Sequence, residues 1–112
     1  MHVCGDIRPI IPDLVATGLD ILDLDTPVPL DEARSLAGPA TGLRGNLSPT
    51  AIFRAGPEDV ATMARQAIAA SGGQRFLLGT GCEVAAGTPI ENVTAMVAAA
   101  RDAGPQPPDR TP

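Results

Sequence analysis

One histidine and two cysteines carry the most distinctive chemistry in this sequence. His2 and Cys4 are two positions apart, so on a β-strand their side chains point to the same face. Cys82 follows a later apolar segment, where a second predicted strand turns towards a helix. One imidazole and two thiolates suit Zn²⁺, and three protein ligands with an open fourth position are typical of catalytic zinc. A thiol bound to zinc loses its proton and remains a nucleophile near neutral pH.

The same three residues also have ordinary structural interpretations. A buried cysteine packs as a small hydrophobic residue, and a single histidine is commonly a surface or core residue. A disulfide between Cys4 and Cys82 is arithmetically allowed, but secreted disulfide-bonded domains usually contain more cysteine. We therefore expect reduced thiols, and spacing alone leaves the structural and the metal-binding interpretations both open.

Short apolar segments alternate four times with longer amphipathic ones, which predicts an α/β fold of four βα units with a parallel sheet. The predicted strands cover residues 2–4, 20–24, 43–45 and 76–78. The predicted helices cover residues 9–17, 30–37 and 57–71 and a segment that starts at residue 88, with a further short helical segment after a turn at 46–49. Because aromatic residues make up only 2% of the chain, the core must consist of Ala, Val, Ile and Leu.

The last predicted helix has a recognisable start. Thr88, Pro89 and Glu91 match a capping box, with the hydroxyl at the N-cap and the carboxylate three residues later. The apolar residues expected to face the core from this helix are Val93, Met96, Val97 and Ala100. We predict one domain over residues 1–103 and a disordered, proline-rich tail over residues 104–112.

Polar and sulfur-bearing residues follow each predicted strand. These turns are Cys4-Gly5-Asp6, Asp25-Thr26, Gly45-Asn46 and Gly81-Cys82-Glu83. In a parallel α/β sheet such turns lie at one rim, where ligands bind. Asp25 and Asn46 are therefore candidate substrate-binding residues, although Asp and Asn are also ordinary residues of turns and caps.

Charge and hydropathy exclude several classes of function. Thirteen acidic residues against eight arginines, with no lysine, give a net charge of −5 and no basic surface for nucleic acid. No apolar run approaches the roughly 18 residues needed to cross a membrane, and the first eight residues lack a secretory pattern. We expect a soluble, cytoplasmic protein.

Several sequence motifs occur in an order that is familiar from one superfamily. They are His2-Val3-Cys4-Gly5-Asp6, the strand 20–25, Leu43-Arg44-Gly45-Asn46-Leu47-Ser48-Pro49, the segment 56–60, Gly81-Cys82-Glu83 and the segment 88–92. Over residues 2–101 the chain resembles the carboxy-terminal half of the uroporphyrinogen decarboxylase superfamily. The resemblance implies the second half of a (β/α)8 TIM barrel. Ser48 stands where that superfamily often has Asp, and a serine there could still cap a helix.

The resemblance also implies a chemistry. Decarboxylases of the superfamily have Gly-His-Gly where this chain has Gly81-Cys82-Glu83, whereas methylcobalamin:thiol methyltransferases have the cysteine. Their zinc pattern maps onto His2, Cys4 and Cys82. The implied cofactors are Zn²⁺ and a corrinoid, methylcobalamin, as methyl donor, and the implied partners are a small thiol and a corrinoid or corrinoid protein.

A complete barrel needs about 250 residues, and the first four βα units have no counterpart in this chain. We expect an enzyme fragment that is incomplete alone and that a second copy or a complementing amino-terminal half would complete. One alternative is a non-catalytic remnant or assembly module of the same fold. A further alternative is tetrapyrrole decarboxylation, which Cys82 in place of the decarboxylase histidine disfavours.

Overall fold

A four-stranded parallel sheet organises the chain, whose computed structural model describes residues 1–104. The strands are β1 (His2–Val3), β2 (Ile21–Leu24), β3 (Gly42–Leu47) and β4 (Phe76–Thr80). A 3₁₀ turn at Arg8–Ile10 leads into α1 (Ile11–Ala16), followed by α2 (Leu30–Ala37), α3 (Pro49–Arg54), α4 (Pro57–Ala70) and α5 (Ile90–Ala103). The strands lie in the order β1-β2-β3-β4, and a helix follows each of them. The predicted α/β fold of four βα units is confirmed.

Alternate residues of the two central strands point into the apolar core. The largest fully buried apolar side chains are Ile11, Leu22, Leu24, Val28, Leu43, Ile52 and Val60. Within residues 1–104, the buried apolar core consists only of Ala, Val, Ile and Leu, as predicted. Leucine and β-branched residues suit strands that helices cover, because both elements then bury a continuous apolar surface.

The other face of the sheet is open and carries both apolar and charged side chains. Ile21 and Leu77, which point to this face, are 41% and 54% exposed. Asp23 and Arg44 point the same way from the middle of β2 and β3 and form an ion pair at 2.9 Å. Parallel sheets usually have both faces covered, so this face lacks its usual cover within the part of the chain described.

The third strand is longer than predicted. It extends through Asn46 to Leu47, and it stays paired with β4 through Asn46 opposite Gly79 and Leu47 opposite Thr80. The predicted start of the turn at Asn46 was wrong, because Asn46 and Leu47 continue the strand after Gly45. Gly45 has a φ of 140°, which glycine adopts readily and other residues rarely do. An added Cβ atom there would lie 2.6 Å from the carbonyl oxygen of Leu24.

The predicted capping box of the last helix was also wrong. Helix α5 begins at Ile90 with Pro89 as its N-cap, and the Thr88 hydroxyl instead donates to the carbonyl of Ala85 at 2.7 Å. By contrast, Ser48 does cap α3, since its Oγ accepts from the amide of Ala51 at 3.2 Å. Thr88 lies one residue too early to act as the N-cap.

The buried side of α5 is only partly the predicted one: Met96 packs against the core as predicted, but Val97 does not. Its buried residues are Asn92 and Ala99, whereas Val97 is 40% exposed. The side-chain amide of Asn92 donates to the carbonyls of Ile52 and Ala55, at 2.7 and 2.8 Å. A polar residue therefore holds α5 against the end of α3, which a search for apolar spacing does not detect.

The helix lengths and the end of the last helix bear on two further predictions, on membrane spans and on the carboxy-terminal tail. None of the helices in residues 1–104 is long and apolar enough to span a membrane. Helix α5 ends at Ala103, and of the predicted disordered tail only Gly104 falls within the described residues.

Candidate metal centre

The histidine and the two cysteines meet at the carboxyl end of the sheet. Their donor atoms, one ring nitrogen and two Sγ atoms, all lie within 4.8 Å of one another. The Sγ atom of Cys4 is 3.4 Å from Nε2 of His2. Both cysteines are free, as predicted, and all three residues are exposed. The three residues thus form a cluster with access to solvent.

The first two residues of the cluster come from β1 and the turn after it. His2 pairs in register with Asp23 of β2, which fixes its place at the edge of the sheet. Cys4 leaves the end of the strand, and the amide of Gly5 donates to Oδ2 of Asp25 at 2.7 Å. The turn that carries Cys4 is therefore tied to the turn after β2.

Cys82 comes from the opposite edge strand, and the turn after β4 carries it to the cluster. The amide of Gly81 donates to the carbonyl of Leu47 at 2.8 Å, and the Thr80 hydroxyl donates to the Cys82 carbonyl at 2.6 Å. An added Cβ on Gly81 would lie 2.5 Å from the amide nitrogen of Thr26. Only glycine allows this turn to pack so closely against the turn after β2.

The donor atoms fit a zinc ion. Tetrahedral zinc, with bonds of about 2.0–2.3 Å to nitrogen and sulfur, separates its ligand atoms by about 3.5–3.8 Å. The 3.4 Å separation between Cys4 and His2 is close to these values, whereas separations of up to 4.8 Å require the side chains to move together by about 1 Å. Three donors leave one coordination position free, and the exposed side of the cluster gives access to it.

The proton affinity of the Cys4 thiol depends on Cys82. The neighbouring Cys82 raises the pKa of Cys4 through its charge, and partial loss of hydration, a hydrogen bond to Cys82 and the Asp25 carboxylate act in the same direction. Two adjacent thiolates repel, so the protonated form is favoured in the absence of a cation. A divalent cation would favour the two thiolates instead.

Asp25 and Asn46, the predicted substrate-binding residues, lie beside the cluster and hold turns. The carboxylate of Asp25 accepts from the amides of Gly5 and Thr26, both at 2.7 Å, and these bonds lower the pKa of Asp25. The side-chain amide of Asn46 donates to the carbonyls of Asp25 and Val28. Asp25 thus supports the turn that carries Cys4, and Asn46 supports the turn after β2.

Sequence reasoning missed a second polar group next to the cluster. Oδ2 of Asp23 lies 3.4 Å from Nδ1 of His2, and Oδ1 of Asp23 lies 2.9 Å from Nη1 of Arg44. The sequence did contain an indication of this group, because Asp23 stands between the two apolar leucines of β2. An acid at that position must face away from the core.

An open cleft of about 290 Å³ lies next to the donor atoms. Its lining residues are His2, Cys4, Asp23, Arg44, Thr80, Cys82 and Glu83. Every side chain in this set carries oxygen, nitrogen or sulfur, but carbon atoms of the same residues make up most of the exposed lining. The cleft therefore offers both polar contacts and apolar surface to a small ligand.

The chain is similar in sequence to several known enzymes. The chain is 32% identical over 103 residues to the methylated-thiol--coenzyme M methyltransferase of Methanosarcina mazei, covering 91% of this chain and 27% of the relative. It is 38% identical over 95 residues to the uroporphyrinogen decarboxylase of Azoarcus sp. (strain BH72), covering 82% of this chain and 26% of the relative. It is 33% identical over 100 residues to the methylcobamide:CoM methyltransferase MtaA of Methanosarcina barkeri (strain Fusaro), covering 88% of this chain and 29% of the relative.

The fold has a solved counterpart as well. A methyltransferase from Methanosarcina mazei superposes with a TM-score of 0.79 at 30% sequence identity, over 90% of this chain and 30% of that chain. The chain thus spans less than a third of the length of the proteins it matches. The family described as uroporphyrinogen decarboxylase (URO-D) matches residues 1–103, and the chain belongs to that family.

Proposed function

We propose that this chain carries the zinc site of a corrinoid:thiol methyltransferase, in which His2, Cys4 and Cys82 hold the metal. One observation carries the proposal: residues far apart in the sequence bring three zinc-type donor atoms within 4.8 Å of one another. The methyltransferases among its relatives support the reaction class. When bound, zinc would lower the pKa of a coordinated substrate thiol, so that a thiolate is available near neutral pH.

The residues around the cluster have complementary tasks in this proposal. His2, Cys4 and Cys82 occupy three positions around the metal and leave the solvent side to the substrate thiol. The cleft of about 290 Å³ is close to the smallest small-molecule sites in size, which favours a compact thiol. Asp25 and Asn46 already use their side chains in hydrogen bonds to main-chain groups. They would contact the substrate only through the hydrogen-bonding positions that remain.

The open sheet face supports the proposed partners. Ile21 and Leu77 are exposed on it, and the edge strands β1 and β4 present unpaired main-chain groups within the described residues. Either a second copy or a complementing amino-terminal half would cover this face and supply the rest of a barrel. A corrinoid or corrinoid protein would then bring the methyl group to the carboxyl ends of the strands, in the cytoplasm.

Tetrapyrrole decarboxylation is the second candidate. The relative from Azoarcus supports it, because its identity of 38% exceeds that of the two methyltransferases. Cys82 argues against it, since a thiol paired with Cys4 and His2 is arranged for metal binding. A non-catalytic assembly module is the outcome if the chain binds neither metal nor substrate.

Elemental analysis of the purified chain tests the metal site. We expect about one zinc per chain, because the three donor atoms converge on one position. His2→Ala and Cys82→Ala should each lose the metal, whereas Ser35→Ala, an exposed position on α2, should retain it. Native mass spectrometry of the same samples reports the oligomeric state.

The outcomes separate the candidates. An intact chain without zinc, after purification in the presence of Zn²⁺ and without chelators, would overturn the methyltransferase proposal. Release of carbon dioxide from uroporphyrinogen, by the chain alone or with an added amino-terminal half, would favour the decarboxylase instead.

A further inference from the structure

The two ring nitrogens of His2 face different partners. Nε2 lies 3.4 Å from the Sγ atom of Cys4, and Nδ1 lies 3.4 Å from Oδ2 of Asp23. A neutral imidazole carries one N–H group, and a carboxylate can only accept a hydrogen bond. The Asp23 carboxylate therefore favours the tautomer with the proton on Nδ1, which leaves the lone pair of Nε2 directed at the Cys4 thiol.

The register of the sheet sets this arrangement. His2 pairs with Asp23 between β1 and β2, and Asp23 pairs with Arg44 between β2 and β3, so the three side chains stand side by side on the open face. Nη1 of Arg44 lies 2.9 Å from Oδ1 of Asp23. The cationic partner occupies one carboxylate oxygen, and the other oxygen is oriented at His2.

A glycine in β4 makes room for the arginine. An added Cβ on Gly79 would lie 2.7 Å from Cζ and Nη2 of Arg44. Any side chain at this position would therefore push the guanidinium away from Asp23, or else the strand would have to shift. Gly79, Arg44 and Asp23 thus form a chain of contacts that ends at Nδ1 of His2.

We infer that Asp23 is a positioning residue, which holds His2 in the tautomer that binds metal through Nε2, and that Arg44 and Gly79 keep Asp23 in place. This inference rests on the proposed metal site for its function, but the tautomer itself does not depend on metal. An exposed ion pair has little effect on stability, so the role lies in orientation rather than in folding. Outer carboxylate partners of metal-binding histidines typically change metal affinity by about 10–100-fold.

The single histidine of the chain allows a direct test. The ¹⁵N chemical shifts of a histidine-labelled, metal-free sample at about pH 8.5 report which ring nitrogen carries the proton. We expect the proton on Nδ1 in the wild-type chain. Asp23→Ala and Asp23→Asn should shift the population towards the Nε2–H tautomer, and the control Asp20→Asn, an exposed acid just before β2, should not.

Zinc affinity gives the second measurement, by competition with a chromophoric chelator. Asp23→Ala should weaken binding by about 10–100-fold and Gly79→Ala by a smaller factor in the same direction, while Asp20→Asn should bind like the wild type. A wild-type chain that carries its proton on Nε2, or an Asp23→Ala variant with unchanged tautomer and unchanged affinity, would overturn the inference. A chain that binds no zinc would refute the proposed function, and the nitrogen shifts would still decide the role of Asp23.

Discussion

The two faces of the sheet use the same strands for opposite purposes. On β2, Leu22 and Leu24 are fully buried under the helices, while Asp23 between them faces the open side and contacts His2. On β3, Leu43 is buried and Arg44 next to it forms the ion pair with Asp23. Since side chains alternate along a strand, neighbouring residues have separate roles: one face forms the buried core and the other holds the polar groups beside the histidine–cysteine cluster.

The largest expected effect belongs to the core face. Leu24→Ala removes a fully buried side chain, and we expect a loss of about 2–5 kcal/mol in the free energy of unfolding. Leu77→Ala, on the open face and 54% exposed, should change it by less than about 0.5 kcal/mol. Urea denaturation of the two variants measures the difference. Equal losses would show that both faces are covered in solution.

The turn after β4 should matter for metal binding rather than for the core. Gly81→Ala forces the turn after β4 away from Thr26, so Cys82 should move away from Cys4. We expect zinc affinity to fall about tenfold or more, with the far-ultraviolet circular dichroism unchanged. Gly56→Ala is the matched control, because an added Cβ there meets nothing within 4 Å. A wild-type affinity in Gly81→Ala would refute the role of this turn.

Ser48 and Thr88 are two hydroxyl residues that precede helices α3 and α5, and their contributions to stability should differ. Ser48→Ala removes the side-chain cap of α3 and should lower the free energy of unfolding by about 1 kcal/mol. Thr88→Ala should have a smaller effect, because its hydroxyl bonds a preceding carbonyl rather than an amide of α5. Thermal denaturation of both variants ranks them. The reverse order would restore the capping box predicted for Thr88.

The smallest expected effect concerns pH and Asp25. Its hydrogen bonds to the amides of Gly5 and Thr26 lower its pKa, so its contribution to stability is present above the unfolded pKa of about 3.9. This contribution is lost as the pH falls through the lower, folded value. Urea denaturation between about pH 7 and pH 3 should show stability declining below about pH 4. Asp25→Asn should reduce the decline and Asp13→Asn, an exposed acid of α1, should not.

Sequence patterns predicted the helix-covered face better than the open one. Apolar periodicity located all four strands, and residue types selected His2, Cys4 and Cys82, whose donor atoms the structure brings together. The link between Asp23 and Arg44 was missed because it depends on the register between strands, which is set by contacts distant in sequence. Asn92 was missed for a related reason, since its partners are the carbonyls at the end of α3.

The path of the turn after β4 has a further consequence for the folding of the chain. Cys4 follows one edge strand and Cys82 follows the other, so an ion bound to both would act as a cross-link between the two ends of the sheet. Such a link closes a loop of about 78 residues and lowers the chain entropy of the unfolded state, on the order of 4 kcal/mol if it behaved like a disulfide. In that case the metal would stabilise the fold as well as take part in catalysis, and the supply of metal would determine what fraction of the chain is folded.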